Sequence, residues 1–249
     1  MKKVAFYGGS FDPLHNGHLT IVRKLTEIFR LDKFVFIPAF HAPHKKDKKP
    51  TSVFHRFAML CLATESEDKF KVSTVELDAP EKPFTFETQI KLKSELPDAE
   101  IFFVIGADSW QEIDTWREWE KVLTLTNIIV VTRPDYEIGF AHVTEAIRET
   151  IVDLSNNEKK ENKSQINTDA HRLEDKLPIT NYQLRETEDE TNKDSQFTIH
   201  DSRIYITDAV NLDVSATEIR RKIRAGENDW RELVPPEVAK YIEKYELYI

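Results

Sequence analysis

"GGSFDPLHNGHL", residues 8–19, holds three of the six glycines in this 249-residue chain. It follows the short apolar run "VAFY" and leads into "HLTIVRKLTEIFRL", whose apolar residues recur at helical spacing. A strand that ends at Gly8-Gly9 and feeds a helix starting near Gly17-His18 builds an anion site. Glycine lets backbone amides come close to a ligand, and the unsatisfied N–H groups and positive dipole end of the helix face the same space. His15 and His18 lie three apart, around a turn residue and a glycine, so both can point at one anion. Two other readings of the pair are a zinc site, which lacks a Glu or Cys at ligand spacing nearby, and a plain helix cap. The stretch is neither a GxxxxGK[ST] loop nor a GxGxxG fingerprint.

Outward from this turn, strand-like and helix-like runs alternate. Residues 4–9, 33–39, 70–77, 100–108, 127–134 and 203–210 read as strands, and 18–31, 52–65 and 85–96 as helices. A further helix starts in "VSATEIRRKIRAG", with Ser215 or Thr217 as cap and Gly226 as its stop, and "PPEVAKYIEKYELYI" closes the chain as an amphipathic helix. The alternation predicts an α/β fold, a doubly wound, mostly parallel sheet of Rossmann-like type in one domain over residues 1–249. Such sheets bind ligands beyond the carboxyl ends of their strands, where Gly8-Gly9 and Gly106-Ala107-Asp108 both fall. Residues 141–202 lose the pattern to Asn, Glu, Lys, Thr and Asp, which predicts a polar insertion that is flexible or loosely structured.

With 40% apolar and 32% charged residues, the composition is that of a soluble globular protein. A net charge of −9 argues against general nucleic-acid or membrane-surface binding, so an anionic substrate needs a local cluster of cations. The single cysteine, Cys61, excludes an internal disulfide and reads as a small core residue. "MKKVAFYGG" is too short for a signal-peptide core, and no run reaches the ~20 apolar residues of a membrane span, which predicts a cytoplasmic protein.

The glycine-histidine stretch closely resembles the HxGH signature of the nucleotidyltransferase superfamily, and "VSATEIR", residues 214–220, resembles its ISSTxIR element. Between them, further stretches resemble the bacterial nicotinate-nucleotide adenylyltransferases. "IPAFHAPHK" is similar to that family's strand and loop ending in PPHK, with Ala42 in place of a proline. "SVFHRFAML" is similar to its next helix, "KPFTFETQIKL" to its SYTxDT element, "FVIGADSWQEIDTWREWEKVL" to its GADxxxxxxxW segment, and "VVTRPDY" to its NRPGY strand end. The resemblance covers about residues 2–140 and 203–245.

The resemblance implies transfer of AMP from ATP to the 5′-phosphate of nicotinate mononucleotide, giving deamido-NAD and pyrophosphate, with Mg²⁺ carried on ATP. The attacking phosphate is already an anion, so positioning and charge stabilisation replace a strong base. By match to the family, His15, His18 and Arg220 would be the catalytic side chains, with the two histidines at the α-phosphorus. The ATP site would comprise Gly9, Ser10 and Phe11, with Gly106 and Asp108 at the ribose and Ser215, Thr217 and Arg220 at the β- and γ-phosphates. The acceptor would meet His44, Lys45, the Thr85 backbone and the Trp116 ring. Trp110 and Trp119 read as core, and Lys46, Lys48 and Lys49 as a solvated loop. Phe84 stands where the family often has tyrosine and Glu87 where it has aspartate, which bears on the acceptor pocket. The alternatives are another enzyme of the superfamily, a pantetheine-phosphate adenylyltransferase or cytidylyltransferase, and a non-catalytic nucleotide-binding protein.

Overall fold

The computed structural model describes residues 1–40, 50–79, 81, 83–132, 138–155, 202–208 and 214–249. Among these, seven strands form one sheet: β1 (Lys2–Gly9), β2 (Lys33–Pro38), β3 (Phe70–Val72), β4 (Ala99–Gly106), β5 (Asn127–Val131), β6 (Ile151–Asp153) and β7 (Ile204–Thr207). Their order is β3-β2-β1-β4-β5-β7-β6, and every neighbouring pair runs parallel. The helices are α1 (Asn16–Ile28), α2 (Val53–Thr64), α3 (Thr85–Glu95), α4 (Ala107–Gln111), α5 (Trp119–Leu125), α6 (Glu145–Arg148), α7 (Ala216–Arg224) and α8 (Pro236–Lys244). This is the doubly wound sheet that the alternation predicts, and strand order reverses between β1 and β4. No helix among the described residues is long and apolar enough to cross a membrane.

The near-continuous apolar strands exist because both faces of the sheet are covered. Register lines Val35, Phe6, Phe103, Ile128 and Ile204 into one row across five strands, and all five belong to the core cluster that includes Trp110 and Val122. The alternate residues face the other way, where Phe102 packs between Phe29 at the end of α1 and Tyr205 of β7, at ring centroid distances of 5.4 and 6.1 Å. Trp110 is fully buried and donates to the Gly139 carbonyl at 3.0 Å, so it is core, as its sequence context suggests.

Two expectations are corrected. The strand read over residues 70–77 stops at Val72: the Ser73 N–H still bonds the Phe36 carbonyl of β2 at 2.8 Å, and beyond it the chain turns, with the Ser73 hydroxyl accepting from the Val75 N–H at 3.2 Å and Thr74 donating to Asp78 at 2.5 Å. Such side chains compete with the sheet for the backbone. The polar insertion does not begin at residue 141. Val143 and Ile147 are buried, Thr144 caps α6, and β6 pairs with β7 through Ile151 and Ile204. One helical turn and a three-residue strand are too short to show a period in sequence. Residues 156–201, the rest of that stretch apart from Ser202, lie outside the described residues.

Phe102→Ala should destabilise the protein by about 3–5 kcal/mol, since it empties a ring site shared by α1, β4 and β7. Urea denaturation of parent and variant measures this, and a loss below about 1 kcal/mol would contradict the packing described.

Candidate active site

At the carboxyl end of β1 the chain turns through Ser10 and Phe11, and Phe11 holds a left-handed backbone with φ of 48°. A bulky residue rarely adopts that conformation, and here its surroundings hold it there. The Phe11 ring meets Tyr7, Phe36 and His18 edge-on, at centroid distances of 5.4, 5.4 and 5.1 Å. It also covers Gly9, where an added Cβ would lie 2.9 Å from the ring. Gly17 is restricted in the same way, since its Cβ would lie 3.0 Å from His15 Nδ1. Gly9 is therefore explained by ring packing. It does not line the cavity described below.

His15 is the residue before α1, and its carbonyl accepts from the His18 N–H at 3.0 Å. The His15 and His18 rings stack at 3.7 Å. His18 Nδ1 accepts from the His15 backbone N–H at 3.3 Å. That bond assigns the neutral His18 tautomer with hydrogen on Nε2, so the ring keeps one directed donor. Burial, and secondly the neighbouring His15, hold the His18 pKa well below the ordinary imidazole value of 6.5. His18 is thus uncharged at neutral pH.

These residues line a cavity of about 320 Å³ at the β1–β4 reversal. Its wall includes Ser10, Phe11, Asp12, His15 and His18 from the first turn, and Gly106 and Asp108 after β4. The start of α7 contributes Ser215, Thr217 and Arg220. Ser215 caps α7, accepting from the Glu218 N–H at 3.2 Å, which chooses between the two caps that the sequence allowed. The Arg220 guanidinium donates to the Asp12 carbonyl and, at 3.2 Å, to the Thr217 hydroxyl. The first turns of α1 and α7 therefore border one space together with an imidazole and a guanidinium, a setting suited to a polyphosphate. Among the described residues no group of three or more His, Cys, Asp or Glu could hold a metal ion.

The expected acceptor residues fall elsewhere. Thr85 is the first residue of α3, and Trp116 is half-buried against the core cluster; neither lines this cavity. Phe84 precedes Thr85, is 41% exposed and carries the Arg117 guanidinium over its ring at 4.7 Å. Glu87 accepts from the Phe84 N–H at 2.8 Å and so serves as a cap partner for α3. His44 and Lys45 lie outside the described residues.

Sequence reasoning missed the buried polar frame behind the first turn. Arg56 of α2 is 1% exposed and donates to the carbonyls of Ser10 at 2.6 Å, Ala39 at 2.8 Å and Thr51 at 3.0 Å. Burial lowers its pKa and Asp12, Tyr248 and Glu76 oppose that shift; an arginine remains charged. The only signal was an arginine inside the apolar helix "SVFHRFAML", on the side that the helical period assigns to the core.

The fold is that of a nucleotidyltransferase, and the chain matches the family described as Cytidylyltransferase-like over residues 6–222. A probable nicotinate-nucleotide adenylyltransferase of Clostridium tetani is 32% identical over 248 residues, covering 100% of both chains. One from Desulfatibacillum aliphaticivorans is 32% identical over 250 residues, covering 99% of this chain and 100% of its own. The Plasmodium falciparum nicotinic acid mononucleotide adenylyltransferase complexed with NaAD superposes with a TM-score of 0.64 at 18% identity, covering 100% of this chain and 98% of its own. The chain belongs to the nicotinate-nucleotide adenylyltransferase family. The likeness also extends beyond the stretches that the motifs covered, since the Clostridium tetani alignment spans the polar segment as well.

The geometry of His18 predicts a titration. In histidine NMR spectra its ring signals should stay unchanged from pH 8 down to 6.5, with a midpoint below that value. A midpoint at or above 6.5 would contradict the buried, Nδ1-accepting arrangement.

Proposed function

We infer that this chain transfers the AMP group of ATP to the 5′-phosphate of nicotinate mononucleotide, forming deamido-NAD and releasing pyrophosphate. The observation that carries the reading is the convergence of two helix N-termini, a neutral imidazole donor and a guanidinium on one cavity. Family membership names the acceptor.

In this reading MgATP is the substrate, and the metal rides on the triphosphate, because the cavity offers mostly N–H and hydroxyl donors. Ser215, Thr217 and Arg220 hold the β- and γ-phosphates at the start of α7. Ser10 and Phe11 offer backbone amides, and Gly106 and Asp108 meet the ribose. An oxygen of the acceptor phosphate attacks the α-phosphorus; a new P–O bond forms as the bond to the bridging oxygen of pyrophosphate breaks. The attacking oxygen carries no proton, so none has to be removed. His18, beside His15, directs its Nε2–H at the α-phosphate as charge shifts toward the leaving group. Thr85 holds the acceptor carboxylate through its backbone, Trp116 stacks on the pyridine ring, and His44 and Lys45 also contact the acceptor.

Pyrophosphate release, measured with a panel of acceptors, tests the reading. Nicotinate mononucleotide should exceed its amide by at least about tenfold in kcat/KM, the yield of one charge-assisted hydrogen bond. Activity confined to pantetheine phosphate or a cytidylyl acceptor, or none with any acceptor, would overturn it. His18→Ala should lower kcat by about two to four powers of ten, with the fold retained by circular dichroism. Near-parental turnover would remove His18 from the chemistry.

A further inference from the structure

The last residues of the chain do not continue α8. After Tyr245 the backbone turns left-handed at Glu246, with φ of 50°, and Leu247 donates back to the Ile242 carbonyl at 3.0 Å. This is a Schellman-type end, built here without glycine. Tyr248, also left-handed with φ of 70°, is thereby directed back to the first βα turn. Its hydroxyl donates to Asp12 Oδ1 at 2.8 Å, across 236 residues of sequence.

Asp12 is 7% exposed, and a buried carboxylate is costly unless donors hold it. Oδ1 has the Tyr248 hydroxyl, and Oδ2 has the Thr51 N–H at 3.3 Å. Neither Thr51 nor Tyr248 belongs to the cavity wall, whereas Asp12 does. The two donors therefore hold the Asp12 carboxylate from outside the cavity. The same residue's carbonyl takes the Arg220 guanidinium, and the Ser10 carbonyl two positions earlier is tied to Arg56. Burial, and then the adjacent Asp12, push the Tyr248 phenol well above its ordinary range, so it remains a donor throughout the working pH range.

We propose that Tyr248 is a positioning residue for the ATP end of the site: through Asp12 it sets the first turn and the seat of Arg220. The proposal rests on the reading of the cavity as an ATP site. It assigns to the C-terminal tail a part in donor binding and none in acceptor recognition.

Tyr248→Phe removes only the hydroxyl. The dissociation constant for α,β-methylene-ATP, read by calorimetry, should rise about tenfold, and the KM for nicotinate mononucleotide should change less than about twofold. A merely structural role would lower the melting temperature and leave analogue affinity within about twofold of the parent, and that result would overturn the proposal. Asp12→Asn and the double variant test the route: if the hydroxyl acts through Asp12, the two losses are not additive, and full additivity would refute that path. Should Tyr248→Phe fail to fold, Asp12→Asn gives the same readout, and parental analogue affinity there would overturn the proposal. Analogue binding does not depend on which acceptor is used. Loss of nicotinate mononucleotide turnover in the parent would thus sink the functional reading alone, and failure of the parent to bind the analogue would sink both.

Discussion

The contact between the Arg220 guanidinium and the Asp12 carbonyl joins the first βα turn to α7, across 208 residues. An ATP site of this kind needs both ends at once. In the sheet, β7 lies beyond β4 and β5 as seen from β1, and the residues after β1 and at the start of α7 border one cavity. Arg220 closes the gap between them. Behind the contact, Arg56 holds the Ser10 carbonyl, and Thr51 and Tyr248 hold the Asp12 carboxylate, so the turn is fixed from its buried side.

The turn itself shows how local sequence and packing divide the work. Its glycines read from sequence as room for a ligand. In the structure Gly9 makes room for the Phe11 ring and Gly17 for the His15 ring. Those two rings in turn fix His18, one by edge contact and the other by stacking. The dry, crowded setting that lowers the His18 pKa is thus the same setting that gives its Nε2–H one direction. A preorganised neutral donor needs no reorganisation as charge develops, which is the property that electrostatic catalysis requires.

Much of this was legible from residue order because its signals are local. Gly-Gly after an apolar run, His-x-x-His at a helix start, and Ser215 ahead of a helical period each sit within a few positions of what they determine. The doubly wound sheet was legible for the same reason, since its central strands are long and buried on both faces. The frame behind the site was not. Arg56, Asp12, Thr51 and Tyr248 come from four segments, and only the folded chain shows that one guanidinium meets three carbonyls or that a residue one short of the C-terminus reaches the first turn. Short elements were lost too: α6 and β6 carry too few residues for a period, and the expected strand at 70–77 stops at Val72, ahead of serine and threonine side chains that bond their own neighbours.

The central claim is that the cavity supplies donors and lends no side chain as a nucleophile. His18 Nδ1 is engaged by the His15 N–H, and its hydrogen lies on Nε2, which leaves the ring suited to donate and unsuited to attack. The stereochemical course at the α-phosphorus tests this most directly, using a single diastereomer of ATP with sulfur in place of one α-phosphate oxygen. One in-line displacement by the acceptor phosphate predicts a product of inverted configuration. Retention would reveal two displacements through an AMP group carried covalently on the protein, and would contradict the account.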